Sequence, residues 1–296
     1  MTNIPRIQLT KDYSISRIIK GNWQLAGGHG MVEKQKAIAD MFAFTEAGIT
    51  TFDCADIYTG VEELIGEFRR QYHGDLQIHT KFVPDLDKLA TISERYVESI
   101  IDRSLQRLGT ETLDLVQFHW WDFSIPQYLE TMSYLAALQQ KGKIRYIGLT
   151  NFDAEHMQRI LNEGFSVISN QVQYSLIDQR PKHGLQEFCA AHSIGLLCYG
   201  VLAGGFIREK FLGVTEPQAP FEHRSFAKYK LIIDDAGGWS KFQEVLRLAK
   251  HIADEHSVSI SSIAMKYVLM QPGVGGIIVG ARNASHLADL VQLHKL

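Results

Sequence analysis

Cysteine is scarce in this chain: Cys54, Cys189 and Cys198 are the only three in 296 residues. An odd number, at spacings that suit neither a disulfide framework nor a Cys-x-x-Cys site, points to a reducing compartment, the cytoplasm. Long hydrophobic runs are also missing. No segment approaches the roughly 20 apolar residues of a membrane span, and the start, MTNIPRIQLTKDYSISRIIKGNW, has no apolar signal core, so neither a membrane association nor processing is expected. Charge of one sign is not in excess, because 30 Lys and Arg stand against 33 Asp and Glu for a net charge of −3. The basic surplus that phosphate backbones demand is absent, which argues against a nucleic-acid partner. The twelve histidines include no His-x-x-x-His or comparable spacing, so no metal site is expected. With no Pro/Ser-rich linker, low-complexity tract or charge block to mark a boundary, residues 1–296 read as one domain.

What the chain does contain is alternation. Short β-rich runs recur at residues 18–20, 50–52, 76–80, 113–118, 145–149, 166–171, 195–199 and 276–279. Between them lie segments with helical periodicity, such as 32–47 and TISERYVESIIDRSLQRLG, which ends on Gly109 as a helix-stopping glycine. SIPQYLETMSYLAALQQKGK opens with the cap-like Ser124 and Pro126. Eight strand–helix alternations predict a parallel α/β fold. No Gly-x-Gly-x-x-Gly follows the first strand, as a dinucleotide-binding open sheet would usually show. The length suits a closed barrel of roughly 250 residues plus insertions, so a (β/α)8 TIM barrel is favoured. RIQLTKDYSISRII reads as an N-terminal β-hairpin that could close the lower end.

Active sites of such barrels lie at the carboxyl ends of the strands. The second strand ends in TFDCADIYTG at Asp53, the third ends at Lys81 and the fourth at His119, with Tyr58 one short loop beyond Asp53. Neighbouring strands are only about 4.8 Å apart, so an acid, an ammonium, an imidazole and a phenol converge on one rim. Taken singly, each has a plain structural reading: a satisfied histidine, an Asp–Lys ion pair, a packed loop aromatic. Their coincidence at three adjacent strand ends is hard to explain as packing.

Over almost its whole length the chain resembles an aldo-keto reductase. The resemblance is carried, in order, by GNWQL, FDCADIYTGVEELIGEFRR, IHTK, LDLVQFHWW, GKIRYIGLTNF, NQVQYSL and CYGVLAGGF. It implies that Asp53, Tyr58, Lys81 and His119 form the family's catalytic tetrad. Carbonyl reduction needs a proton donor and dipoles aimed at the oxygen where negative charge develops. A free phenol, with a pKa of about 10, is a poor acid at neutral pH, and a neighbouring ammonium lowers that value. On this reading Tyr58 is the acid and base, Lys81 tunes it, Asp53 orients Lys81, and His119 positions the carbonyl.

Hydride chemistry is beyond side chains, so a nicotinamide cofactor is implied. The resemblance assigns the carboxamide to Asn151 and Gln171 with Thr150 alongside, and the nicotinamide ring to Tyr199. It places Gly21, Asn22 and Trp23 after strand one, and Gly200, Leu202, Gly204 and Gly205 after strand seven, along the cofactor. Structural alternatives are a capping pair for the Asp153 helix, a strand-end amide and a core tyrosine. A long loop without a convincing element follows Gly205; such loops are functional or mobile, and the family folds this region over its cofactor. Trp23, Trp120 and Trp121 offer stacking faces for a small carbonyl or sugar substrate, with Asp122 beside them.

The tail IIVGARNASHLADL departs from the family. Gly280 stands where many members have a lysine that grips the extra phosphate of NADP, His286 replaces an arginine and Leu290 an asparagine. Arg282 is the remaining permanent cation, with a helix beginning near Ser285. This predicts a modest NADP(H) preference with appreciable NAD(H) use. An NAD-dependent sugar (aldose) dehydrogenase, a lyase using Lys81 as a Schiff-base nucleophile, and a cofactor-binding barrel without turnover are the rival readings.

Overall fold

The computed structural model describes residues 4–27, 30–221 and 224–295. Strands β1 (Arg6–Thr10) and β2 (Tyr13–Ser16) pair antiparallel as the expected hairpin. Eight parallel strands then close into a barrel. They are β3 (Ile18–Gly21), β4 (Thr51–Asp53), β5 (Gln77–Phe82), β6 (Leu113–His119), β7 (Ile144–Thr150), β8 (Ser169–Gln173), β9 (Gly195–Tyr199) and β10 (Val274–Gly280). The circuit runs from β3 to β10 in sequence order, and β10 closes on β3 through Ile277–Ile18 and Gly280–Gly21.

Helices α1 (Lys34–Glu46), α2 (Val61–Gln71), α3 (Glu94–Leu108), α4 (Tyr128–Gln140), α5 (Ala154–Asn162) and α6 (Leu185–Ala191) connect successive strands. Local chemistry sets their ends. The Ser93 hydroxyl accepts from the Tyr96 amide to start α3, and Gly109 stops it at φ 63°, a backbone state that favours glycine. The start of α4 differs from expectation: its cap is Gln127, and Ser124 instead donates its hydroxyl to Asp122 at 2.7 Å.

Side chains two residues apart on a strand share a face, and that period stacks the barrel interior in levels. Ile19, Leu115, Leu197 and Ile278 form the lower level with Tyr13 and Ile15, so the hairpin plugs that end. Reciprocal bonds between Ser16 and Thr51 fix the plug, the amide of each donating to the other's hydroxyl. One level up, buried His79 meets the Tyr13 hydroxyl at 3.0 Å, and above it lie Asp53, Lys81, Gln117 and Gln171.

The long connection after β9 is present, but it is not the structureless run the sequence suggests. Two short 3-10 turns, Ala203–Gly205 and Glu209–Phe211, lead to helix α7 (Arg224–Asp235) and then α8 (Gly238–Glu255) and α9 (Ile260–Leu269). Phe206, Phe211, Phe226, Tyr229, Ile233, Trp239, Phe242 and Leu246 form a separate apolar core there. Past β10, α10 (Leu287–Val291) is a five-residue helix behind a 3-10 turn at Ala284–His286. The helix expected at Ser285 thus starts later and is too short to serve as an anion site. Among the described residues no helix is long and apolar enough to cross a membrane.

Candidate active site

Asp53, Lys81 and His119 reach the same rim because their strands are consecutive and in register, Asp53 beside His79, Lys81 beside Gln117, and His119 beside Thr150. Lys81 Nζ donates to Asp53 Oδ1 at 2.9 Å, to Asp53 Oδ2 at 2.7 Å and to the Cys54 carbonyl at 2.7 Å. Burial opposes its charge most strongly, but Asp53, Tyr58 and Cys54 together outweigh burial and lift the ammonium's pKa. With all three protons engaged and the charge stabilised, Lys81 is unsuited to Schiff-base attack, which needs a free amine.

Tyr58 follows on the β4–α2 loop, its ring centroid 5.3 Å from Lys81 Nζ. Burial pushes the phenol up to about 12, against the pull of Lys81 and with a further push from Asp53. The expected net lowering by the ammonium is therefore not what this arrangement produces. Burial outweighs the pull of the Lys81 ammonium, and the phenol stays protonated at neutral pH. His119 packs edge-on against Trp121, ring centroids 4.4 Å apart. Burial and the Lys81 charge lower its pKa to about 4, and Nδ1 has no partner among the described residues. A neutral imidazole thus faces the phenol's cleft.

The second acid of TFDCADIYTG has a different role. Asp56 accepts from the Val83 amide at 3.2 Å, and burial with the nearby Glu62 charge raises it to about 7. It ties the loop to β5 and does not line the cleft.

Two cavities of about 320 and 460 Å3 adjoin, sharing Trp23, Gln24, Gly200, Tyr229, Ile278 and Gly280. The smaller holds Asp53, Tyr58, Lys81, His119, Trp121, Thr150, Asn151, Gln171, Tyr199 and Gly21. The larger holds Leu202, Gly204, Gly205 and Arg282. A third cavity of about 1010 Å3 lies beside α2 and α3, bordered by the loops after β3 and β4, and contains none of Asp53, Tyr58, Lys81 and His119.

The residues present fit a nicotinamide carboxamide. The Thr150 hydroxyl is buried with no partner among the described residues. Asn151, at φ 59°, accepts the Tyr199 hydroxyl through Oδ1 at 3.0 Å, which leaves its amide group to donate. Gln171 spends its amide group on Asp53 at 2.7 Å and Gln117 at 2.8 Å, which leaves its carbonyl oxygen to accept. One donor and one acceptor match the two polar ends of a carboxamide. The capping alternative for Asn151 fails, because Asp153 caps α5 itself.

Two expected contacts, Asn22 and Trp120, fall elsewhere, and Asp122 also lies outside the cleft. Asn22 is fully buried, its amide donating to the Lys20 and Asp53 carbonyls and its oxygen accepting from Lys20 Nζ at 2.6 Å, so it stiffens the loop without facing either cavity. Trp120 is 2% exposed; it points out of the barrel toward α4, and its indole N–H donates to the Asp122 and Ile125 carbonyls. Asp122 accepts from the Ser124 amide and hydroxyl, a turn-capping task that leaves it out of the cleft. The glycines also differ in purpose. A Cβ on Gly204 would sit 2.4 Å from the Tyr229 ring, and one on Gly205 would sit 2.8 Å from the Arg208 guanidinium. The room they leave is taken by side chains of this same connection.

Sequence reasoning overlooked four residues here. Gln117 donates to Asp53 Oδ1 at 2.9 Å; its position two before His119 on β6 was the available signal. Gln24 lies against Gly280, where a Cβ would come within 2.1 Å of its amide. Arg208 donates to the Gly205 carbonyl at 2.8 Å and lines the larger cavity. Lys228 of α7 lines the smaller one.

Residues 17–296 match the model of the Aldo/keto reductase family. Similar proteins include an L-glyceraldehyde 3-phosphate reductase of Escherichia coli, 29% identical over 92% of this chain and 82% of that protein. Another is an NADH-specific methylglyoxal reductase of Escherichia coli, 25% identical over 95% and 90%. Among solved structures, a glycerol dehydrogenase of Gluconobacter oxydans is alike in fold, with a TM-score of 0.79 at 24% identity over 97% of this chain and 89% of that one.

Proposed function

Because this chain belongs to the aldo/keto reductase family of NAD(P)-dependent enzymes, we propose that it transfers hydride between a nicotinamide and an aldehyde, ketone or sugar carbonyl, with Tyr58 as general acid and base. The observation that carries this reading is the buried Asp53–Lys81 pair at 2.7 Å beneath the Tyr58 ring, with His119 on the same rim. The whole of 1–296 acts as one barrel. Its three buried, unpaired thiols support the reducing cytoplasm as its compartment.

The nicotinamide supplies the hydride that no side chain can carry. Thr150, Asn151 and Gln171 would hold its carboxamide, and the Tyr199 ring would stack on it. NADP(H) is preferred, with NAD(H) also used, on the strength of Arg282, which crosses Gly30 to reach the Met31 carbonyl at 3.3 Å. The larger cavity, with Arg208 and Arg282 on its wall, would take the remainder of the dinucleotide. Neutral His119 orients the carbonyl oxygen toward the Tyr58 hydroxyl, which donates its proton as negative charge builds there. In the alcohol-to-carbonyl direction the Tyr58 phenolate takes the proton, and Lys81 stabilises it. Trp23 and Trp121 line the substrate side.

Replacing Tyr58 by Phe removes the acid and leaves the ring's packing. Carbonyl reduction should fall by roughly 10²–10⁴-fold, read by nicotinamide absorbance, while cofactor binding read by fluorescence persists. Near-normal turnover would sink the assignment.

A further inference from the structure

Helix α7 brings one unclaimed cation to the catalytic cavity. Lys228 Nζ stands 5.0 Å from the Tyr199 ring centroid and 5.3 Å from that of Tyr229. Tyr199 and Tyr229 line the same cavity as Tyr58, His119 and Trp121. Lys228 does not line the larger cavity, where Arg208 and Arg282 lie. The charges therefore sort: two guanidiniums border the larger cavity, and one ammonium besides the paired Lys81 borders the smaller one.

Among the described residues Lys228 has no carboxylate of its own. The nearest acid acting on it, Asp178, is 4% exposed and already gripped. Arg180 donates to it through Nε at 2.8 Å and Nη2 at 2.6 Å, and the Gln173 amide donates at 2.6 Å. Arg180 also acts on Lys228 as a like charge. Lys228 is exposed at the mouth of the cavity, and its pKa is lowered by the protein around its stem and by the Arg180 charge, only partly offset by Asp178. An anion placed between Lys228 and the rim would supply further negative charge.

We propose that Lys228 recognises an anionic group on the substrate, so that the preferred substrates are short carbonyl compounds carrying a phosphate or carboxylate at the end remote from the carbonyl. This rests on the carbonyl-reducing reading of the site. The Tyr199 ring holds the Lys228 ammonium by a cation–π contact, and Trp121 lines the same cavity.

The test compares kcat/KM for matched pairs, glyceraldehyde 3-phosphate against glyceraldehyde and succinic semialdehyde against butanal, in wild type, Lys228→Gln and Lys228→Arg. The wild type should favour the anionic member of at least one pair, and the pair that shows it identifies phosphate or carboxylate. Lys228→Gln should cut that preference roughly 10- to 100-fold, the worth of one charge-assisted hydrogen bond, through KM more than kcat. Lys228→Arg should keep most of it. A wild type without preference overturns the proposal, as does a Lys228→Gln variant that lowers both members of a pair alike or weakens nicotinamide binding instead. If none of the four compounds is turned over, the carbonyl reading is what has failed. Calorimetry with glycerol 3-phosphate then decides Lys228 separately, and binding that is absent, or equal in wild type and Lys228→Gln, overturns the anion site.

Discussion

Replacing Lys81 by Met separates what the buried pair does for the fold from what it does for the chemistry. In the native protein Lys81 and Asp53 are each 6% exposed, and the ammonium is shared between the carboxylate and the Cys54 carbonyl. Without it Asp53 Oδ1 keeps the amides of Gln117 and Gln171, while Oδ2 and the Cys54 carbonyl lose their donor. Stranding one partner of a buried, hydrogen-bonded pair costs about 3–5 kcal/mol. That is a large fraction of a typical stability of about 5–15 kcal/mol. Adding Asp53→Asn removes the stranded charge and leaves chiefly the unpaired carbonyl, about 1–3 kcal/mol. The double variant should therefore be more stable than the single one by about 2 kcal/mol.

Activity should not follow stability. Both variants lack the charge that offsets burial at Tyr58, whose pKa already stands at about 12, so the phenolate becomes harder to form in either. Alcohol oxidation should fall in both, and its pH–rate profile should move to higher pH. Urea unfolding followed by tryptophan fluorescence gives the first quantity, and nicotinamide absorbance across pH gives the second. A single variant within 1 kcal/mol of wild type would show that the pair is not the electrostatic keystone described. A double variant that recovered the rate with the stability would show that Lys81 acts only by holding the fold.

The cofactor's far end is tested by Arg282→Ala, which should weaken NADPH roughly 10- to 100-fold and NADH little. Arg208→Ala, which clears the guanidinium from Gly205, should weaken both; fluorescence titrations read all four constants, and equal losses for the two cofactors in Arg282→Ala would reject it as the phosphate contact. Lys20, on β3, is 2% exposed with its ammonium over the Phe44 ring of α1, and burial lowers its pKa to about 7 despite the charge of Asp40. The unfolded chain therefore binds a proton that the folded one releases between about pH 7 and 10.5, so this group's cost is full below pH 7 and fades as pH rises. Lys20→Met should gain about 2 kcal/mol at pH 6, after the loss of the bond to Asn22, and less at pH 9; a pH-independent difference in denaturation would refute this.

The barrel was legible because a parallel strand buried on both faces leaves a compact apolar run, and eight such runs alternated with helical periods. Register was harder to read. The sixth barrel strand was expected at 166–171 and is found at Ser169–Gln173, which puts Gln171 inside the strand, where its amide reaches Asp53. The tetrad was legible for a related reason. Three titratable side chains each end an apolar run, and strand adjacency converts that spacing into proximity. Trp120 misled because aromatics beside a rim residue alternate faces: His119 turns inward, so Trp120 must turn toward α4, and Trp121 returns to the cleft.

Residues whose position depends on packing between distant segments left no such trace. Lys228 reaches the cavity only because Phe226, Tyr229 and Ile233 bury one face of α7 against Phe206, Trp239 and Phe242. Gly200 and Gly204 at φ 72° and 64° let the Tyr229 ring come close. In the sequence that helix follows a proline-containing stretch and ends at a glycine pair, so its apolar period spans too few turns to stand out from loop. The same physics explains the division of labour across the site. The residues proposed for the proton chemistry sit on barrel strands and the short loop after β4, where geometry is set by backbone register. On the proposed reading, discrimination among ligands would fall to Arg208, Lys228 and Arg282 on the connections, where one packed aromatic or one missing Cβ decides what a cation can reach.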